Sequence, residues 1–325
     1  MKRLRFDSWV PFRWHGIGLD IPEEWNPGKI VGDPKSGNVR LDDAEMIRIE
    51  LEWKSADGDA RVDQIVDRYV EGLAKQAQKD KRPLDLQRSS ENLDLSGLPF
   101  DGATYFSWRS SFDVHTLACY SDLSDRLLFV KVMSKPDEDA TELLQRVFQS
   151  LEDTATEANH RWSLFGLWFT SPAGYTLEEY ELKSGHIRLQ FTSGKSILQI
   201  DRLSLANALL RDTNLGDWFT AFFAKDIRYI NYEVEPSQDI GDEGVLIRGV
   251  PKSRKQSLLQ PLPFWDARPR RSYTARAWLD ESENRILAVQ SFWKDEEEAP
   301  DVDMVSRSAA VAGQSTHAPG DSASA

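Results

Sequence analysis

The chain repeats itself, and that constrains its fold more than any other feature. His15-Gly16-Ile17-Gly18-Leu19-Asp20-Ile21-Pro22 returns 150 positions later as Phe165-Gly166-Leu167-Trp168-Phe169-Thr170-Ser171-Pro172, and Trp25 is answered by Tyr175. Gly37–Leu41 (GNVRL) is matched by Gly185–Leu189 (GHIRL) at an offset of 148. Ala118–Val130 (ACYSDLSDRLLFV) is matched by Ala277–Val289 (AWLDESENRILAV) at an offset of 159. Three matches in one order mark a structural unit used twice. A length of 325 residues suits two domains of roughly 150 each. The expected boundaries are 1–155 for the first copy, 160–294 for a diverged second copy, and 295–325 for a tail.

Each half reads as α+β. In the first, Ile17, Leu19 and Ile21 alternate with polar or small residues up to Pro22, the period of a strand. Ile47, Ile49, Leu51 and Trp53 alternate with charged residues, giving a strand with one wet face. Val62, Ile65, Val66, Tyr69, Val70 and Leu73 recur at helical spacing, which predicts an amphipathic helix over 61–79 with Asp59 as its N-cap. Strands follow near 104–108, 115–120 and 127–133, then a closing helix carrying Leu143, Leu144, Val147, Phe148 and Leu151 on one face. In the second half a helix carries Leu215, Trp218, Phe219 and Phe222, started by Asn214 with Asp217 three residues on. No closing helix is expected there. Beyond Asp295 the run Glu296–Glu298 and the Ala, Ser, Gly and Pro that follow predict a disordered acidic tail.

The order of elements, with the Leu19-Asp20-Ile21-Pro22-Glu23-Glu24-Trp25 turn closing the first strand, resembles the PsbP-like and DcrB-like proteins. That superfamily is shared with a Ran-binding nuclear import factor. The resemblance implies two tandem antiparallel sheets packed with helices as α/β/α sandwiches, the second lacking its closing helix. It also implies a binding, assembly or chaperone role and no catalysis. One DcrB-like branch serves as chaperones for type VI secretion effectors.

Composition excludes several classes. Forty basic against fifty-three acidic residues leave a net charge of −13, the wrong sign for a general nucleic-acid binder. The segment 295–325 holds seven of the acids and only Arg307, so −6 of that charge sits in the tail. One cysteine, Cys119, allows neither an internal disulfide nor a multi-thiolate zinc site. No run of apolar residues reaches transmembrane length, and no signal peptide is apparent, so a cytoplasmic protein without membrane insertion is expected. The Gly194-Lys195-Ser196 run lacks the upstream glycine of a phosphate-binding loop and reads as a turn between strands. Asp57-Gly58-Asp59 lacks the later ligands of a calcium loop, where Arg61 and Arg68 stand. The five histidines lack metal-ligand spacing, so no metal and no cofactor is expected.

One segment stands apart. Lys252 to Arg271 is a basic island with Asp266 as its lone acid, and Pro261-Leu262-Pro263-Phe264-Trp265 shows no periodicity that would bury it. Loops this long without regular structure are commonly functional. Guanidinium groups beside aromatic rings suit recognition of carboxylates or phosphates. Arg254, Lys255, Phe264, Trp265, Arg268, Arg270 and Arg271 are therefore the expected partner-binding residues. The leading expectation is a non-enzymatic protein-binding module, with a groove between the copies as a further partner site. Two alternatives stay open: a chaperone for hydrophobic segments of a secreted protein, and a small-molecule binder or enzyme with a site between the copies.

Overall fold

A computed structural model describes residues 2–58, 61–81, 84–88, 93–241, 243–252, 271–295 and 299–315. The chain divides into two compact units, Met1–Phe165 and Gly166–Ala325. No helix among the described residues is long and apolar enough to cross a membrane.

The first unit runs β1 (Lys2–Arg3), β2 (Trp9–Trp14), β3 (Ile17–Pro22), β4 (Asn26–Gly32), β5 (Ser36–Asp42), β6 (Ile47–Ser55), α1 (Val62–Lys79), β7 (Asp85–Gln87), β8 (Gly102–Arg109), β9 (Asp113–Ser121), β10 (Arg126–Ser134), β11 (Glu138–Asp139), α2 (Thr141–Gln149), β12 (Glu152–Asp153) and β13 (His160–Leu164). Seven strands form one antiparallel sheet in the order β4-β5-β6-β10-β9-β8-β7. On one face α1 buries Val62, Val66 and Val70 against Phe106, Ala118, Leu127 and Phe129. On the other lie α2, which buries Leu143, Leu144, Val147 and Phe148, and the smaller array β12-β3-β2-β13. Burying each such side chain contributes about 1.5–3 kcal/mol, and this is why the alternating strands of the sequence become central ones. The expected Asp59 cap lies outside the described residues; Arg61, immediately ahead of α1, makes no side-chain cap bond.

The second unit runs β14 (Leu167–Ser171), β15 (Thr176–Lys183), β16 (His186–Ser193), β17 (Ser196–Ser204), α3 (Ala206–Leu209), α4 (Leu215–Phe222), β18 (Ile230–Ser237), β19 (Glu243–Pro251), β20 (Ser272–Asp280), β21 (Arg285–Trp293) and α5 (Val302–Ser315). Its seven-stranded sheet has the order β15-β16-β17-β21-β20-β19-β18, the same path as in the first unit. Helix α4 covers one face, with Leu215, Trp218, Phe219 and Phe223 packed on Ile247, Tyr273, Ala275 and Ala288. Its cap is the expected one: Asn214 Oδ1 accepts from Asp217 N at 2.9 Å, and Asn214 Nδ2 donates to Asp217 Oδ2 at 2.7 Å.

Helix α5 corrects the expectation of a second unit without its closing helix and of a disordered tail from 295. Val302, Val305 and Ala309 are buried at helical spacing. Asp301 Oδ1 accepts from Met304 N at 2.9 Å, and Ser308 Oγ accepts from Thr170 N at 2.9 Å. Asp301 and Asp303, two of the acids that read as a solvated tail, sit at the start of this helix, where they complement its dipole. The architecture is α+β and mainly sheet. It is not a plain α/β/α sandwich, because the second face of the first-unit sheet is shared between α2 and the small array.

Strand register also revises the repeat. Arg126 lies opposite Ser55 and Arg285 opposite Ser204. Val39 lies opposite Leu51 and Leu189 opposite Ile200. These ladders pair Val39 with Leu189, an offset of 150, the same as Gly16 to Gly166. The offset of 148 read from GNVRL and GHIRL is a slip of two residues. A two-residue slip leaves every side chain on its own face, which is why it went unnoticed in the pattern.

Candidate functional site

The expected partner loop is only partly described. Arg254, Lys255, Phe264, Trp265, Arg268 and Arg270 lie outside the described residues. Arg271 is half-buried just ahead of β20, and Lys252 donates through Nζ to Arg228 O at 2.7 Å. The Gly194-Lys195-Ser196 run is the expected turn, with Ser193 paired to Ser196 and Gly194 at φ +54°. Cys119 is buried in β9, and burial pushes its thiol up. Among the described residues no group of three or more His, Cys, Asp or Glu is placed to hold a metal ion.

The first unit contains a cleft that sequence reasoning missed. Pairing of β7, β8 and β9 sets Gln87, Ser107 and His115 abreast, with Asp85, Arg109 and Asp113 one step along on the same face. The segment Glu138–Thr141, leading into α2, forms the opposing wall, and the space between is about 200 Å³. Its lining holds four carboxylates, Asp85, Asp113, Glu138 and Asp139, against Arg109.

Each group is held in a definite state. Glu138 is buried and takes Arg48 in two bonds, at 2.6 and 3.2 Å, and a third from Lys135 N at 2.9 Å. The Arg48 bonds hold its carboxyl below the usual carboxylate range. Asp139 is lowered by bonds from the Thr141 hydroxyl and backbone. Asp113 is gripped by Arg109 at 2.5 and 3.1 Å. His115 sits 2.7 Å by Nδ1 from the Tyr105 hydroxyl, with the rings stacked 6.3 Å apart. Burial lowers its pKa, so the imidazole is neutral at pH 7. A neutral ring that accepts from the phenol at Nδ1 carries its proton on Nε2.

The chemistry follows from these states. A general base poised near neutrality needs a raised carboxyl or an ordinary imidazole; Glu138 and Asp139 are shifted the other way, and so is His115. A space of about 200 Å³ is also smaller than the ~300–1,000 Å³ of typical small-molecule sites. It has room for one side chain and the charge to favour a cationic one. The Arg109–Asp113 pair, four residues apart across the β8–β9 turn, was the visible signal. Asp85 and Glu138 gave none, because only the tertiary fold brings them to it.

No family model matches the chain, and no curated protein matches it. Among solved structures it is similar to the immunity protein TplEi of the T6SS from Pseudomonas aeruginosa complexed with an "L" peptide, at 12% identity, 96% of both chains and a TM-score of 0.30. The apo structure of the same immunity protein gives 10% identity over 89% of this chain and 88% of that one, at a TM-score of 0.29. At scores this low the likeness assigns neither a fold nor a role.

Proposed function

We propose that the chain is a non-enzymatic protein-binding module, built from two copies of one α+β unit, whose first-unit cleft receives a cationic side chain of its partner. The observation that carries the reading is the cleft itself, side-chain-sized and lined by four carboxylates. Glu138 is paired with Arg48 and Asp113 with Arg109, leaving Asp85 and Asp139, the latter held ionised by its bonds from Thr141, to meet a cation. Support for the two copies comes from the shared strand order and from one arginine at the head of β10 and of β21 in each unit. The basic loop with Arg268, Arg270 and Arg271 remains a second proposed partner contact. A buried, unactivated single thiol supports the proposed cytoplasmic setting.

The test is a phage-displayed peptide library panned against the full chain. Selected peptides should be enriched in Lys or Arg. Their affinity should fall at least tenfold in a variant carrying Asp85→Asn and Asp139→Asn, and should weaken with salt. Peptides selected without regard to charge, or indifferent to the two substitutions, would sink the reading.

A further inference from the structure

Both units fold a strand end around a tight turn, and an arginine from the seven-stranded sheet holds each turn. In the first unit His15 and Gly16, at φ +51° and +82°, form the two-residue β2–β3 turn. Arg126 is buried and donates through Nη1 to His15 O at 2.9 Å and Pro34 O at 3.2 Å. Its Nη2 is taken by the carboxylate of Asp153, delivered by β12. Every part of that guanidinium has a partner.

In the second unit Arg285 takes the equivalent place, with Nη1 donating to Gly166 O at 2.6 Å and Nε to Asp280 Oδ2 at 2.8 Å. A second arginine lies beside it. Trp53 of the first unit stands opposite Leu128, and its equivalent opposite Leu287 is Arg202. A methyl group built on Gly166 would lie 3.2 Å from Arg285 Nη1 and 3.9 and 4.0 Å from Arg202 Nε and Nη2. The two guanidinium groups therefore converge on one point. Among the described residues Arg202 makes no hydrogen bond or ion pair, and its Nε is shut off from solvent. Burial first, then the charge of Arg285, pull its pKa down. Asp280 pairs with Arg285, and the charge of Glu283 opposes the lowering at Arg202, but no described carboxylate hydrogen-bonds Arg202 as Asp153 does Arg126.

We propose that Arg202 and Arg285 form a carboxylate-binding site beside Gly166, filled by an acid on an extended peptide segment that stands where Asp153 stands in the first unit. A partly buried guanidinium with no acceptor is costly, whereas two forks around one carboxylate give strong charge-assisted bonds. The shape of the occupant follows from the first unit: the carboxylate there arrives on a two-residue strand laid antiparallel to β3, Glu152 opposite Gly18 and Asp153 opposite Ile17. This site is independent of the cleft and stands or falls separately.

The probe is the capped peptide SLEDTAT, the Ser150–Thr156 sequence of this chain, titrated into the full chain while the arginine Nε–H resonances are followed by NMR. The Arg202 Nε–H signal should shift saturably. Affinity should fall at least tenfold when the peptide aspartate is replaced by asparagine, and as much for Arg202→Gln in the protein. Arg202→Lys, which keeps the charge but loses the fork, should fall between. Comparing the full chain with its Asp321→Asn form tests one acid of the 295–325 segment as the natural source. Tighter peptide binding in that variant means that Asp321 supplies the acid, and equal binding means that another acid does; either supports the site. No saturable shift in either form, equal binding of the asparagine peptide, or indifference to Arg202→Gln would overturn it.

Discussion

The two units thread the same strand order and solve the same electrostatic problem differently. On the helix-covered face of the first, Lys131 Nζ lies 2.7 Å from Glu52 and 3.7 Å from Glu50, with the Tyr69 ring 5.7 Å away. The equivalent rungs in the second unit hold Gln290, Asp201 and Gln199. Asp201 is fully buried, and it accepts from Arg188 Nε at 2.7 Å, Gln199 Nε2 at 2.8 Å and Gln290 Nε2 at 3.3 Å. His186 Nε2 lies 2.7 Å from the same carboxylate, and Tyr273 donates to Gln290 at 2.8 Å. A lysine between acids became an acid among donors. On the opposite face the first unit closes its arginine with Asp153, while the second pairs Arg285 with Asp280 and adds Arg202, which no described carboxylate hydrogen-bonds. The path of the backbone is set by apolar alternation; the charges on it need only be compensated locally.

The largest test of this contrast is acid. Burial, helped by Arg126 and His160, pushes His15 down to about 3, and its counterpart in the second turn is Phe165, which does not titrate. The unfolded histidine takes its proton near 6.5 and the folded one does not, so stability is full above 6.5 and is lost as pH falls toward 3. The expected loss is about 2 kcal/mol by pH 5 and roughly 5 kcal/mol over the whole window. Hydrogen exchange at pH 7 and pH 5 should show the first unit weakening more. A His15→Asn variant, which tolerates the left-handed turn, should flatten the slope; an unchanged slope would break the assignment.

Next is the arginine clamp. Asp153→Ala leaves Arg126 buried without its counter-charge and should cost about 3–5 kcal/mol in urea unfolding. Asp201→Asn removes a fully buried charge but keeps acceptors, and about 2–3 kcal/mol is expected. Lys131→Met, with Glu52 nearly half exposed, should cost no more than ~1 kcal/mol. The smallest change is expected at Arg202→Met: within ~1 kcal/mol of the parent and on the stabilising side, since nothing described depends on that charge. A loss of several kcal/mol there would show that Arg202 is structural and that the two units are alike after all.

Much of the fold was legible because its signals are local. Ile17–Pro22 and Ile47–Trp53 alternate, α1 carries its stripe, and Asn214 caps α4 as its sequence states. Edge strands were not legible: β4 and β15 are exposed on both faces along most of their length, so Asn26–Gly32 and Thr176–Lys183 show no alternation to read. Helix α5 was missed because its buried stripe among the described side chains is Val302, Val305, Ser306 and Ala309, small residues inside an acidic and Ala/Ser-rich stretch. The cleft was invisible because Asp85, Ser107, His115 and Glu138 are separated along the chain and meet only through strand pairing.

What this chain's sequence determined by itself is its α+β class and most of its central elements, since period and capping act over a few residues. Which acid meets which arginine was decided only by the tertiary structure. Asp153 reaches Arg126 across 27 residues and Arg202 reaches Gly166 across a sheet, and such contacts depend on register and burial, which no local pattern encodes.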